Sequence, residues 1–173
     1  DYYRKAITAA PSDQVLYRDL SLVLADDGKK AEAVSLLETM PEAVPARFDI
    51  VLWLAQAYVD DARYDDCLAL LDSASFSNWE GSSRPHDIFE AALLKRGKVL
   101  FAAGNHEKAL TDFERALTYP EVLEVGARYI LTDAEVRYWQ GKALAKLGRL
   151  DEARAAWETG AAQPSKSAPA PAF

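Results

Sequence analysis

One spacing rule is written four times along this chain, and it dictates stacking of similar units rather than closure around a single core. Each unit turns on a small residue: Gly28, Ala62, Gly104 and Gly148. Five residues after each turn stand Ala33, Cys67, Ala109 and Ala153, and four further on stand Leu37, Leu71, Phe113 and Trp157. The rule also runs backwards. Four residues before the turns are Leu24, Tyr58, Leu100 and Leu144, and seven before are Ser21, Ala55, Gly97 and Gly141, every one of them small.

Small residues let two helices approach closely, and the large residue one turn on fills the hole that this leaves. Apolar recurrence at three- and four-residue intervals on both sides of the turn predicts an antiparallel helix pair per unit. Glycine at three of the four turns suits the left-handed conformation that ends a helix. One pair cannot bury its apolar face alone, so the units must stack. The expected map has nine helices, near 1–10, 13–27, 30–40, 47–61, 64–74, 86–103, 106–118, 133–147 and 150–162, with Ser12-Asp13, Asn105 and Thr132-Asp133 as N-caps.

These residues resemble the tetratricopeptide repeat: Tyr17-x2-Leu20-Ser21-x2-Leu24 with Ala33-x3-Leu37, then Val51-x2-Leu54-Ala55-x2-Tyr58 with Cys67-x3-Leu71. From Gly28 to Ala62 is 34 residues, the period of that family; the later turns are 42 and 44 apart. Arg96 and Gln140 stand where the family usually places Leu, and Ala62 replaces its turn glycine. The resemblance implies an all-α fold, an α-α superhelix in a right-handed stack. It would cover residues 1–162 as a half repeat at 1–13 and repeats near 14–47, 48–81, 90–123 and 134–162, followed by a tail at 163–173. A narrower similarity, carried by Phe76-x2-Trp79-Glu80-Gly81, Tyr119-Pro120-Glu121-x-Leu123 and Tyr138-Trp139-x-Gly141, is to arrays in long uncharacterised bacterial proteins with a β-rich N-terminal region.

Charge and composition narrow the function classes. The net charge of −7 comes entirely from the first 86 residues, which hold 15 acids and 8 bases. Such a chain repels polyphosphate and anionic lipid, so neither nucleic acid nor a membrane is an expected partner. Cys67 is the only cysteine, which excludes an internal disulfide and multi-cysteine metal motifs and suits a reducing, cytoplasmic setting.

Catalytic motifs are missing. There is no G-x-S-x-G elbow, His86 and His106 are the only histidines, and His106-Glu107 lacks a second His at Leu110 for a zinc helix. His106 is expected exposed after Gly104. Gly141-Lys142-Ala143 falls inside a helix, where no phosphate loop forms. The pairs Asp26-Asp27, Asp60-Asp61 and Asp65-Asp66 lack the alternating spacing of a calcium loop and read as solvated helix ends. The expectation is a protein that is not an enzyme and uses no cofactor or metal.

Binding is expected on the concave face, which the resemblance assigns to the first helix of each pair. Positions 10, 6, 3 and 2 before each turn share one helical face. They place Arg18, Leu22, Ala25, Asp26, Leu52, Gln56, Val59 and Asp60 early, and Leu94, Lys98, Phe101, Ala102, Tyr138, Lys142, Ala145 and Lys146 late. The partner-binding set is therefore Arg18, Gln56, Lys98, Phe101, Tyr138, Lys142 and Lys146. Its late, basic and aromatic end suits a protein or peptide carrying an acidic or C-terminal carboxylate group beside an apolar side chain. The family's clamp for the acidic C-termini of chaperones would need Lys and Asn at Arg18 and Leu22 and Asn at Trp53, and is not expected. A secondary candidate is the connection at 75–86, with Trp79, Glu80 and Arg84. The Pro/Ala/Ser-rich tail is expected to be extended and to lie against its own or a neighbouring molecule, a route to self-association. The function read from these residues is a non-catalytic scaffold. The alternative is an accessory region docking onto the rest of a larger, carbohydrate-active bacterial protein.

Overall fold

Each of the four turns closes with the same pair of backbone hydrogen bonds. The N–H after the turn residue donates to the carbonyl five residues back: Lys29 to Leu24 (2.8 Å), Arg63 to Tyr58 (2.8 Å), Asn105 to Leu100 (2.9 Å) and Arg149 to Leu144 (3.0 Å). The turn residue itself donates three back, from Gly28 to Ala25, Ala62 to Val59, Gly104 to Phe101 and Gly148 to Ala145. This double closure caps the first helix and needs a left-handed turn residue. Gly28, Gly104 and Gly148 hold φ of 78°, 81° and 80°, and Ala62 holds 59°. The residue after the turn then accepts the first bond of the second helix, from Ala33, Cys67, Ala109 and Ala153 in turn, so one backbone pattern ends one helix and starts the next.

The computed structural model describes residues 2–41, 47–74, 76, 83–126 and 133–163. Among them are nine α-helices, one short 3-10 turn and no strand. The helices are α1 (Tyr2–Ala9), α2 (Gln14–Asp26), α3 (Lys30–Glu38), α4 (Phe48–Asp60), α5 (Tyr64–Ser73), α6 (Arg84–Ala102), α7 (His106–Ala116), α8 (Ala134–Lys146) and α9 (Leu150–Ala161). Every one lies where the spacing predicts it. No described helix is long and apolar enough to cross a membrane.

The caps follow the sequence only in part. Asp13 accepts from the Val15 N–H at 3.0 Å, as expected of an N-cap. Asn105 and Asp133 make no such bond. The Asp133 carboxylate turns instead to Gln163 and to Arg137, 3.2 Å away, because an ionised partner outbids a backbone N–H.

Two compact units make up the chain, 1–88 with 122–124, and 89–121 with 125–173. In the first, α2 packs on α1 and α3, and α4 on α3 and α5. Ala33 and Cys67 are fully buried at the hairpin contacts, with Leu37 and Leu71 one turn on. In the second, α7 packs against α8 and α8 against α9. The glycines seven before the turn sit under aromatic rings: a Cβ on Gly97 would stand 2.5 Å from Phe113, and one on Gly141 2.3 Å from Trp157. At Arg96, the departure from the family's Leu, the guanidinium forks onto the buried carboxylate of Asp112 at 2.6 and 2.8 Å and ties α6 to α7.

Candidate functional site

Four of the seven expected groove residues meet in the second unit, around a side chain that the expected partner-binding set does not include. Trp139, on α8, lies against α6 and α7, its ring 5.6 Å from Phe101, 6.3 Å from Phe113 and 5.8 Å from Tyr138. The Lys142 ammonium stands 4.2 Å from the centre of the Trp139 ring, 5.4 Å from Phe101 and 5.5 Å from Tyr138. Each such contact is worth about 0.5–1 kcal/mol where water reaches it and more where it does not. Lys98 reaches the same indole at 5.3 Å while its charge is met by Glu135.

The two lysines therefore differ chemically. Lys98 already has a carboxylate, so an anionic ligand must compete with Glu135. Lys142 is half-buried, held in place by three aromatic faces, and among the described residues it makes no ion pair. Tyr138 beside it is 51% exposed, so the cluster opens to solvent. Lys146 is exposed one turn further along α8 and also makes no ion pair among the described residues.

Arg18 and Gln56 belong to the first unit and are occupied. Arg18 donates to Asp19 at 2.8 Å and to Asp49 at 3.2 Å, and Asp49 also receives Arg47. The Arg47 bonds hold the Asp49 carboxyl below the usual range, against the opposing pull of its partial burial, with Arg18 adding to the effect. Gln56 donates to Asp60 at 2.9 Å. Leu52 and Val59, expected on an open wall, belong instead to the buried interior, at 6% and 1% exposure, as does Leu94 at 9%. Their size and apolarity make burial the favourable outcome wherever packing permits. Of the secondary candidates, Trp79 and Glu80 lie outside the described residues, and Arg84 is exposed at the start of α6. The tail at 164–173 also lies outside them.

Groups with chemical potential elsewhere have structural surroundings. Burial pushes the Cys67 thiol up to about 12, the opposite of what a nucleophile needs. The His106 ring, expected exposed, is half-buried 4.8 Å from Phe101, because the turn folds it back onto the end of α6. No cluster of three or more His, Cys, Asp or Glu with metal-ligand geometry occurs among the described residues. Trp139 had one signal in the sequence: it stands nine residues before its turn, as Trp53 does, and Trp53 packs on the Leu20, Leu24 and Ala33 cluster.

Comparison with known proteins bears on the fold and family. A family model described as tetratricopeptide repeat matches residues 52–122 and, overlapping, 94–169. Two solved structures titled as crystal structures of MamA share the fold at 17% identity and a TM-score of 0.52. One alignment covers 92% of this chain and 82% of MamA, the other 91% and 76%. At that identity the likeness speaks for the fold alone. No curated protein sequence matches. The repeat model spans well over half of the residues, and the chain belongs to the tetratricopeptide repeat family.

Proposed function

We propose that this chain is a non-catalytic scaffold that binds a protein or peptide, and that its contact point is the Lys142 cluster. Membership of a repeat family suggests protein–protein interaction; the choice of site rests on one observation. Lys142 carries a charge that three rings hold in position, that no carboxylate among the described residues neutralises, and that lies beside a half-exposed tyrosine. A carboxylate arriving there gains a charge-assisted contact without displacing a resident partner, while Phe101 and Tyr138 receive an apolar side chain. Lys98 contributes less, since Glu135 must first be given up. We read residues 1–162 as the working array and, from the lone buried Cys67, a reducing cytoplasmic setting as its place.

The test compares peptides with a free C-terminal carboxylate and an apolar residue next to it against their amidated forms. The intact chain should prefer the carboxylates. Lys142→Glu should weaken them about tenfold or more, Lys98→Glu less, with helicity and melting temperature nearly unchanged. Equal binding of acid and amide, or binding indifferent to Lys142→Glu, would place the contact elsewhere.

A further inference from the structure

The carboxylate that meets Lys98 comes from the same stripe of α8 as the cluster it borders. Glu135, Tyr138, Trp139, Lys142 and Lys146 stand at i, i+3, i+4, i+7 and i+11, a spacing that keeps them on one helical face. The stripe runs from an acid in the first turn, across two rings, to two bases at the far end. Tyr138 falls between the acid and Lys142. A ligand whose carboxylate rests on Lys142 and whose apolar side chain rests on Tyr138 and Phe101 therefore leads its preceding residues toward Glu135. From Lys142 back to Glu135 is seven residues, about 10 Å along the axis, the reach of about three extended ligand residues.

Two ammonium groups share one indole. Lys98 stands 5.3 Å and Lys142 4.2 Å from the centre of the Trp139 ring, so the sum of the two, 9.5 Å, is the most that can separate them. Left alone, such a pair would attract a ligand with two carboxylates. Glu135 cancels half of it by accepting from the Lys98 ammonium at 2.5 Å. The first turn of α8 favours an acid, so the helix bears no electrostatic cost for holding one there. The strength of the pair is not what excludes a second carboxylate. The Lys98 and Glu135 side chains are 33% and 59% exposed, and an ion pair that open to water contributes little. A ligand carboxylate that took Lys98 would still find Glu135 beside it, fixed to α8, with one ammonium serving two acids. Like charges placed that way suppress the wrong partner. A ligand with a single carboxylate meets no such repulsion.

We infer that Glu135 sets the specificity of the Lys142 site, an inference that rests on the function proposed above. It makes the site select a terminal carboxylate preceded by uncharged residues and reject one with Asp or Glu one to three places before the end.

Three labelled peptides of one length test this by fluorescence anisotropy against the intact chain. The first ends in an apolar residue with a free carboxylate after three uncharged residues. The second is its amide, and the third is the free acid with Glu two places before the end. The unaltered chain should bind the first about tenfold more tightly than the third. Glu135→Gln should tighten the third about tenfold and the first only about twofold, which closes most of the gap. Glu158→Gln, at an exposed position on α9, removes the same charge away from the stripe and should leave the gap open. If acid and amide bind the unaltered chain alike, the Lys142 site falls and the specificity role with it. If the acid is preferred but the gap is absent, survives Glu135→Gln, or closes equally with Glu158→Gln, the site stands and the role of Glu135 is overturned.

Discussion

Ala62 holds a left-handed backbone, φ 59°, at a turn where the three other hairpins use glycine. A Cβ in that conformation costs on the order of 1–2 kcal/mol, part of which the greater freedom of unfolded glycine returns. Ala62→Gly should therefore stabilise the chain by about 1 kcal/mol, read as a higher urea midpoint at unchanged slope. The Cys67 thiol, pushed up to about 12 by burial, should resist a thiol reagent at pH 8 in the folded chain and react promptly in denaturant. Asp49 titrates in the opposite sense. Its carboxyl is depressed by Arg47 first and Arg18 second, so the stabilisation is present above the unfolded value near pH 4 and is lost as the pH falls through the lower folded value. Between pH 6 and pH 3 the unaltered chain should lose more stability than Asp49→Asn. Equal losses would show that the Arg18–Asp49–Arg47 network contributes nothing.

Between helices, the deciding contacts are glycine against ring and carboxylate against guanidinium. Alanine at Gly97 would gain helix propensity of just under about 1 kcal/mol but drive its Cβ to 2.5 Å from the buried Phe113. Overpacking of that kind costs about 1–3 kcal/mol, so Gly97→Ala should be net destabilising while Gly126→Ala, which meets nothing within 4 Å, should be close to neutral in the same denaturation assay. Helix positions were legible in the sequence because periodicity, turn glycines and the backbone closure that follows are local. The caps were less so: Asn105 and Asp133 have capping chemistry, but Asp133 has an ionised arginine and a glutamine in reach. Arg96 reads as a fault in an apolar register until Asp112, 16 residues on, is seen opposite it.

Taken over the whole chain, the acid surplus of the first 86 residues argues against polyanionic partners. At low salt, where cationic proteins hold duplex DNA most tightly, this chain should show no binding in a mobility-shift assay. Local basicity near Lys142 does not alter that, because Lys142 and Lys146 together supply only two phosphate contacts.

By itself the sequence determined the family, the helices and the glycine-under-ring contacts of the last two hairpins, since all of these depend on residues within about four turns of one another. Only the tertiary structure decided which charges stay available. Arg18 is taken by Asp49, 31 residues away, and Lys98 by Glu135, 37 away, while Lys142 meets rings instead of a carboxylate. Those outcomes turn on how far apart neighbouring helices stand and how each is rotated about its axis, quantities that residue spacing along one strand of chain does not carry.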